Sequence, residues 1–486
     1  KKKGYFMYKG FVSITQLSLA LLGSVFADSV SIYYSSNKET SEREFNRYVK
    51  QINDEKITTI ELSGQRNTGV DTAVYLVDIM KACETVTNLK FKKTYFNKDT
   101  FNEFIKQLKL ANIVSLEFKD CGIKSDMAEN IVAFVNTSKK LESLSLEENY
   151  ITTLPAVVPN ETLKTLNISR NWFKDAEGVA DFIANCKGLS ELNVSANSFT
   201  EPTIQAIANV VLSHPNIQVF DFSSVRMGYY PKSGKGLNDV AEMLKVNKNL
   251  RTLDLSGNSL ASADAEYIQS FSDALVDCEL NELVLSDSGM SLTELKDGIA
   301  NNDSITSLNL SETYFNVQDW VALAKEIIQK NKTITHYNLS QTEMEDSRIV
   351  NFVFSRMRDN TIIKTLDLSR NGFNLDNDAA IDDLFSIQNL EYLSLASNNL
   401  MDTVPTLLGK LKNNKSIVYL DLSTSVRQGW DGWEDKANNA VIAIGELLES
   451  NTTLKEIGYY NNDLTNWGFD ELKRLQEKYP NVKIYF

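Results

Sequence analysis

The phrase apolar-x-x-apolar-x-apolar-x-x-polar-x-apolar recurs fifteen times between residues 57 and 464, and it constrains the fold more than any other feature. Clear copies are Leu141-x-x-Leu144-x-Leu146-x-x-Asn149-x-Ile151 and Leu250-x-x-Leu253-x-Leu255-x-x-Asn258-x-Leu260. Two more begin at Ile363 and Leu390. A self-similar period decides architecture before any local propensity matters. Within the phrase a short strand alternates its faces, so the apolar places point inward and the residues between them line an open face. A single copy cannot bury its apolar row, so the copies must stack strand beside strand into one continuous core. The polar place is Asn in seven copies (Asn149, Asn171, Asn197, Asn258, Asn371, Asn398 and Asn462) and mostly Thr, Ser, Gln or Cys elsewhere. A buried turn leaves backbone donors and acceptors, and an amide side chain bonds both kinds. Val225 is the copy that lacks this capacity, which implies a rebuilt turn there.

Successive copies are about 28 residues apart, and the segments between them carry helical periodicity, as in Val179, Phe182 and Ile183. Each unit therefore reads as strand, turn, helix and return. The fold class is α/β: a solenoid of about 15 repeats, with helices on one side and a parallel β-sheet on the other. Helices are wider than strands, roughly 10 Å against 4.8 Å, which predicts a horseshoe with the sheet on its concave face. The phrase resembles the ribonuclease-inhibitor-like class of leucine-rich repeats, a class shared with Ran GTPase-activating proteins and the repeat domains of NOD-like receptors. That resemblance covers residues 57–464 and implies a fold rather than one activity.

The domain reading is residues 1–27 as signal peptide, 28–56 as N-terminal cap, 57–465 as repeats and 466–486 as C-terminal cap. Lys9 precedes an apolar run, Phe11 to Phe26, that ends Val25-Phe26-Ala27 before Asp28. This is the order of a charged region, an apolar region and a small-x-small cleavage site, and the run is shorter than the ~20 residues a span needs. Export follows as the expected localisation, with a cytoplasmic location as the alternative and no stable membrane insertion after removal. In the N-terminal cap, Phe45, Tyr48, Val49 and Ile52 share a helical face. At the other end, Trp467, Phe469, Leu472, Leu475 and Tyr479 predict a closing helix, followed by a strand through Val482, Ile484 and Phe486.

The net charge of −14, without a basic stripe, argues against nucleic acid and anionic membrane, and for a basic protein partner or plain solubility. No cofactor is expected. Neither His214 nor His336 joins a catalytic set, and no Cys/His spacing suits a metal. Cys83, Cys121, Cys186 and Cys278 fall in places too far apart to bridge. The expected function is therefore non-enzymatic recognition of another protein through the open face.

One lane of that face is a run of serines such as Ser256 and Ser369, beside a lane of Asn or Asp such as Asn338 and Asp421. Departures from these short side chains mark candidate anchors: His336, Tyr392 and Tyr419 in the third place, and Tyr460 in the next lane. Two longer units share a phrase, Ser224-Val225-Arg226-Met227-Gly228-Tyr229 and Ser425-Val426-Arg427-Gln428-Gly429-Trp430. Matching flanks at Leu163 and Ile363 point to block duplication. Insertions at such edges build binding rims, so Arg226, Tyr229, Tyr230, Arg427, Trp430 and Trp433 complete the candidate partner-binding set. Two rival functions are a GTPase-activating regulator using Arg226 and Arg427, and an inhibitor of a basic secreted enzyme. Ten Asn-x-Ser/Thr sequons, four of them on the sheet face (Asn167, Asn193, Asn309 and Asn338), favour bacterial export over a glycosylating route.

Overall fold

The computed structural model describes residues 29–32, 38–65, 69–175, 178–228, 234–400, 402–425 and 432–486. The proposed signal peptide lies outside them, as do Tyr229, Tyr230, Arg427 and Trp430. Among the described residues, seventeen strands of three to five residues are separated by helices, except between Ser143–Ser145 and Thr165–Asn167, and the described strand pairs are parallel. The chain divides into two compact units, residues 1–173 with 177–189, and residues 174–176 with 190–486. The first carries six strands, Ser29–Ser31 to Thr165–Asn167, and the second eleven, Glu191–Asn193 to Lys483–Tyr485. Each described pairing joins a strand to its neighbour in sequence, with the third, fourth and fifth places of one phrase facing the same places of the next. This is a leucine-rich-repeat solenoid.

The apolar places form the core as expected: Leu141, Leu144, Leu146 and Ile151 are at most 1% exposed, and so are their counterparts from Leu250 and Ile363. The Asn at the polar place does what its chemistry allows. The amide nitrogen of Asn149 donates to the carbonyls of Phe118 at 2.8 Å, in the preceding repeat, and of Leu146 at 3.0 Å, in its own. Its oxygen accepts the backbone N–H of Cys121 and of Ile123, both at 3.0 Å. Asn258, Asn371 and Asn462 repeat this pattern. Thr94 and Cys121 supply the donating half alone, to the carbonyls of Leu62 and Phe91. Val225 makes no such bond, yet its own N–H is still held by Asn258 at 3.0 Å. The turn there is therefore kept by the following repeat rather than rebuilt, and the added feature is a second left-handed residue, Arg226, at φ 67°.

The residue just before the polar place is left-handed in all fifteen copies, with φ from 48° to 69°. Only Gly64 and Gly257 among them are glycine. An L-residue costs roughly 1–2 kcal/mol there, and its N–H gains a bond to the next strand, as from Lys93 to the Lys119 carbonyl at 3.0 Å. A second asparagine ladder stands at the helix-to-strand return. Asn160, Asn247, Asn302, Asn331, Asn360, Asn414 and Asn451 each accept the N–H three residues on, at 2.6 to 3.0 Å. Asn302, Asn331 and Asn451 also donate to carbonyls of the preceding repeat.

Ahead of the first repeat, a strand, Ser29–Ser31, pairs with Thr59–Ser63, and the helix Lys38–Glu55 that follows it buries Tyr48 and Ile52. At the C-terminal end, Leu472 and Leu475 of the helix Asn466–Lys478 are buried, while Trp467 and Phe469 stay exposed. All four cysteines are buried and free. Burial pushes the thiols of Cys121 and Cys186 up to about 12.

Two outcomes follow. Replacing Asn371 by Ala strands the Thr342 and Met344 amides and leaves the Leu339 carbonyl with the Thr342 hydroxyl alone, and should cost about 2–4 kcal/mol in urea unfolding. A neutral maleimide should leave all four thiols unlabelled in the native protein at pH 7 and label them in denaturant.

Candidate functional site: the tyrosine face of the late repeats

Parallel register sets like places side by side, so the third place of successive strands makes one lane: His336, Thr365, Tyr392, Tyr419, Glu456 and Lys483. Tyr392 and Tyr419, in the strands Tyr392–Ser394 and Tyr419–Asp421, stack with ring centroids 4.5 Å apart and planes within 2°. That is offset-stacked geometry. Both rings are half-buried and lie on the open face.

Carboxylates surround the pair. Burial raises the Tyr392 hydroxyl well above the phenol range, and Asp367, Tyr419, Asp421 and Tyr460 add to the shift. The Tyr419 hydroxyl is raised likewise, by burial first, then by Asp421, Tyr460, Glu456 and Tyr485. Burial also raises the carboxyls of Asp367 and Asp421. Gly458 beside Asp421 has no side chain for a reason: a Cβ there would lie 2.5 Å from Asp421 Oδ1. Tyr485 of the last strand donates from its hydroxyl to Glu456 Oε2 at 2.7 Å.

The structure thus brings Tyr392, Tyr419 and Tyr460 together with Asp367 of the Asn/Asp lane, and adds Tyr485 and Glu456, which were not singled out from the sequence. The signal for Tyr485 was alternation: Ile484 points inward, so its neighbours face outward. His336 lies two strands from Tyr392 in the same lane. Its ring is half-buried, which lowers its pKa, and Nδ1 is 2.6 Å from Thr335 Oγ1. Trp433 opens the helix Trp433–Ser450 on the strand-to-helix edge, and among the described residues it makes no ring contact with either tyrosine. Arg226 is exposed on the corresponding edge, where Gly228 packs so tightly that a Cβ would lie 2.3 Å from the Ser259 carbonyl oxygen.

The shared phrase around Arg226 and Arg427 sits one residue out of step. The Asn-held N–H is that of Val225 in one repeat and of Ser425 in the other, and the left-handed residues are Ser224 and Thr424. Val225 therefore corresponds to Ser425, not to Val426. Among the described residues no group of three or more His, Cys, Asp or Glu side chains is placed to hold a metal.

Residues 163–186 match one Leucine Rich Repeat family, and residues 249–271 and 389–411 match another. With the observed solenoid, this makes the chain a leucine-rich-repeat protein. More particularly, it is similar to mouse NACHT, LRR and PYD domains-containing protein 4E, 23% identical over 247 residues, which is 48% of this chain and 24% of that protein. Mouse protein 4C of the same designation is 24% identical over the same length, again 48% of this chain and 24% of that protein. Protein PAC2 of Saccharomyces cerevisiae is 28% identical over 156 residues, 30% of this chain and 27% of that protein. The chain spans about a quarter of the length of the curated relatives it matches.

Near the start of the second unit, the neighbouring carboxylates Asp221 and Asp254 share the fifth place of paired strands. Asp254 is pushed up to about 6, by burial first and then by Asp221, against the bonds from Ser256 that lower it. A carboxyl raised in the native state binds its proton more tightly folded than unfolded, so stability falls as pH rises from about 4 through about 6. Asn occupies this place at Asn309 and Asn338 and makes the same Ser bond. Asp254→Asn should therefore stabilise the protein by about 1–2 kcal/mol above pH 7. At pH 4 the gain should vanish, and denaturant titrations at the two pH values check the difference.

Proposed function

We propose that this chain is a non-enzymatic protein-recognition scaffold whose open sheet face, at the repeats of Tyr392 and Tyr419, takes a basic segment of another protein. The observation that carries this is the stacked tyrosine pair set among Asp367, Asp421 and Glu456 on a solvent-facing sheet. Aromatic rings on an otherwise short, polar face supply contact area at low entropic cost, and each presents a π-face to a cation. The carboxylates supply the opposite charge. A docked Lys or Arg favours the ionised form of Asp367 and Asp421, so binding releases protons and strengthens as pH rises. A binding rim of the edge residues Arg226 and Trp433 belongs to the same proposal, together with Tyr229, Tyr230, Arg427 and Trp430, which lie outside the described residues.

Export is part of the same proposal and rests on the apolar run after Lys9. A route without N-glycosylation suits the fold, because Asn302, Asn331 and Asn451, all sequon residues, are buried with both ends of the amide bonded.

Titrating the full chain with a lysine- and arginine-rich nonapeptide in a calorimeter tests the reading. Binding should strengthen from pH 5 to pH 7.5, and Tyr392→Ala/Tyr419→Ala should weaken it by about tenfold or more. Equal affinity of the double variant, or equal affinity for an acidic nonapeptide, would contradict it.

A further inference from the structure

A second aromatic feature lies wholly in the first unit and is independent of the tyrosine face. Tyr95, Tyr150 and Trp172 fill the place after the polar one in the copies that begin at Val86, Leu141 and Leu163. They are 45%, 43% and 59% exposed, on a loop edge where core-type side chains have no reason to stand. The backbone holds them there: their N–H groups donate to the carbonyls of Gln65, Ile123 and Ile151 at 2.8 to 2.9 Å. Tyr150 and Trp172 meet edge to face, centroids 5.0 Å apart at 69°. This notch forms one wall of a groove of about 600 Å³, completed by Lys124, Ser125, Asp126 and Thr152.

The polar groups of the groove divide into two sets. Ser125 and Thr152 bond each other, and Asp126 is held by Lys98 at 2.5 Å and by the Met127 N–H. Lys124 enters no ion pair among the described residues. It stands at the N-cap of the helix Ser125–Val135, and with Asp126 of the first turn paired to Lys98 it is the groove charge left without an ion pair among the described residues. What remains for a ligand is an apolar notch rimmed by donors (the Trp172 indole N–H, the Tyr150 hydroxyl and the Lys124 ammonium) with a local positive charge.

A polyproline-II segment presents the complement: pyrrolidine rings to fill a notch, and carbonyls with no internal donor. The spacing agrees as well. One turn advances about 9.3 Å, and Tyr95, beyond the groove on the same edge, stands two repeats from Tyr150, ~10 Å at the strand spacing. A sugar would need a flat stacking platform, which the edge-to-face pair lacks. An amphipathic helix would need a longer continuous apolar groove. We propose that this edge docks a proline-rich segment of a partner protein, with a carboxylate of that segment reaching Lys124.

The test is calorimetric titration of the full chain with four probes: an acetylated proline-rich nonapeptide containing one Glu, the same peptide with Lys in that place, a Gly/Ser nonapeptide with the same Glu, and a cello-oligosaccharide. The proline/Glu peptide should bind best, the Lys version several-fold more weakly, and the other two not at all. Trp172→Ala should weaken the best probe by about tenfold or more, and Lys124→Glu should reverse the preference between Glu and Lys peptides. Trp172 is exposed, and an unchanged unfolding midpoint would confirm that the variant is folded. Tyr419→Ala should leave the peptide affinity unchanged, which separates this site from the tyrosine face. Equal binding of the Gly/Ser peptide, binding of the oligosaccharide alone, no binding by any probe, or an unaltered Trp172→Ala affinity would overturn the proposal.

Discussion

Everything else in this protein depends on how the turns between strand and helix satisfy their backbone groups. A solenoid buries a turn in every repeat, and a buried N–H or C=O without a partner costs about 1–3 kcal/mol. Asparagine meets the cost at both ends of the strand. At the outgoing turn, Asn149, Asn258 and Asn371 accept from the loop of the previous repeat and donate to its strand carbonyl. At the return, Asn302, Asn331 and Asn451 do the same for the segment entering the strand. Each repeat is thereby bolted to its neighbour at fixed register, and the lost bonds cannot be recovered by sliding.

Fixed register has a functional consequence. Because the third and fifth places always face their counterparts, a substitution there meets the same residue position on the next strand and nothing in the core. The face is free to vary, and what it carries is additive along the lane. Tyr392 and Tyr419 stack because two adjacent copies chose the same ring, and Asp421 gains room because the next copy chose Gly458. The early face is built differently, from Lys–Glu pairs such as Lys119 with Glu147 at 2.6 Å and Lys92 with Glu61 at 3.1 Å. Exposed pairs of this kind contribute little stability, so their variation is tolerated as freely as that of the tyrosines.

Core, strand order and Asn chemistry were legible because each is periodic: Leu144, Leu253 and Leu366 occupy one place and meet one fate. Several features were not. The left-handed place carries Lys93, Glu148, Ala196 and Arg370 with no glycine signature, since the bond made by its N–H outweighs the strain. The return ladder was visible only as sequons at Asn302, Asn331 and Asn451, a pattern that names a modification and hides a hydrogen-bond device. The duplicated phrase at Arg226 and Arg427 looked equivalent by spelling, whereas the Asn-bonded amides at Val225 and Ser425 show it shifted by one. Tyr150 and Trp172 fell outside the strand lanes, and their juxtaposition needs the loop geometry. Of the candidate anchors, the tyrosine lane followed from register alone. The edge residues depend on inserted loops, whose lengths the repeat does not dictate.

Native-state hydrogen exchange tests the central claim most directly, read at the backbone amides of Ile123, Val225, Thr342 and Met344. These lie in loops but are held by Asn149, Asn258 and Asn371. The account predicts that they exchange as slowly as the amides of the adjacent strands, opening only with the repeat itself. Exchange at the rate of exposed loop amides would show that the ladder does not carry the fold.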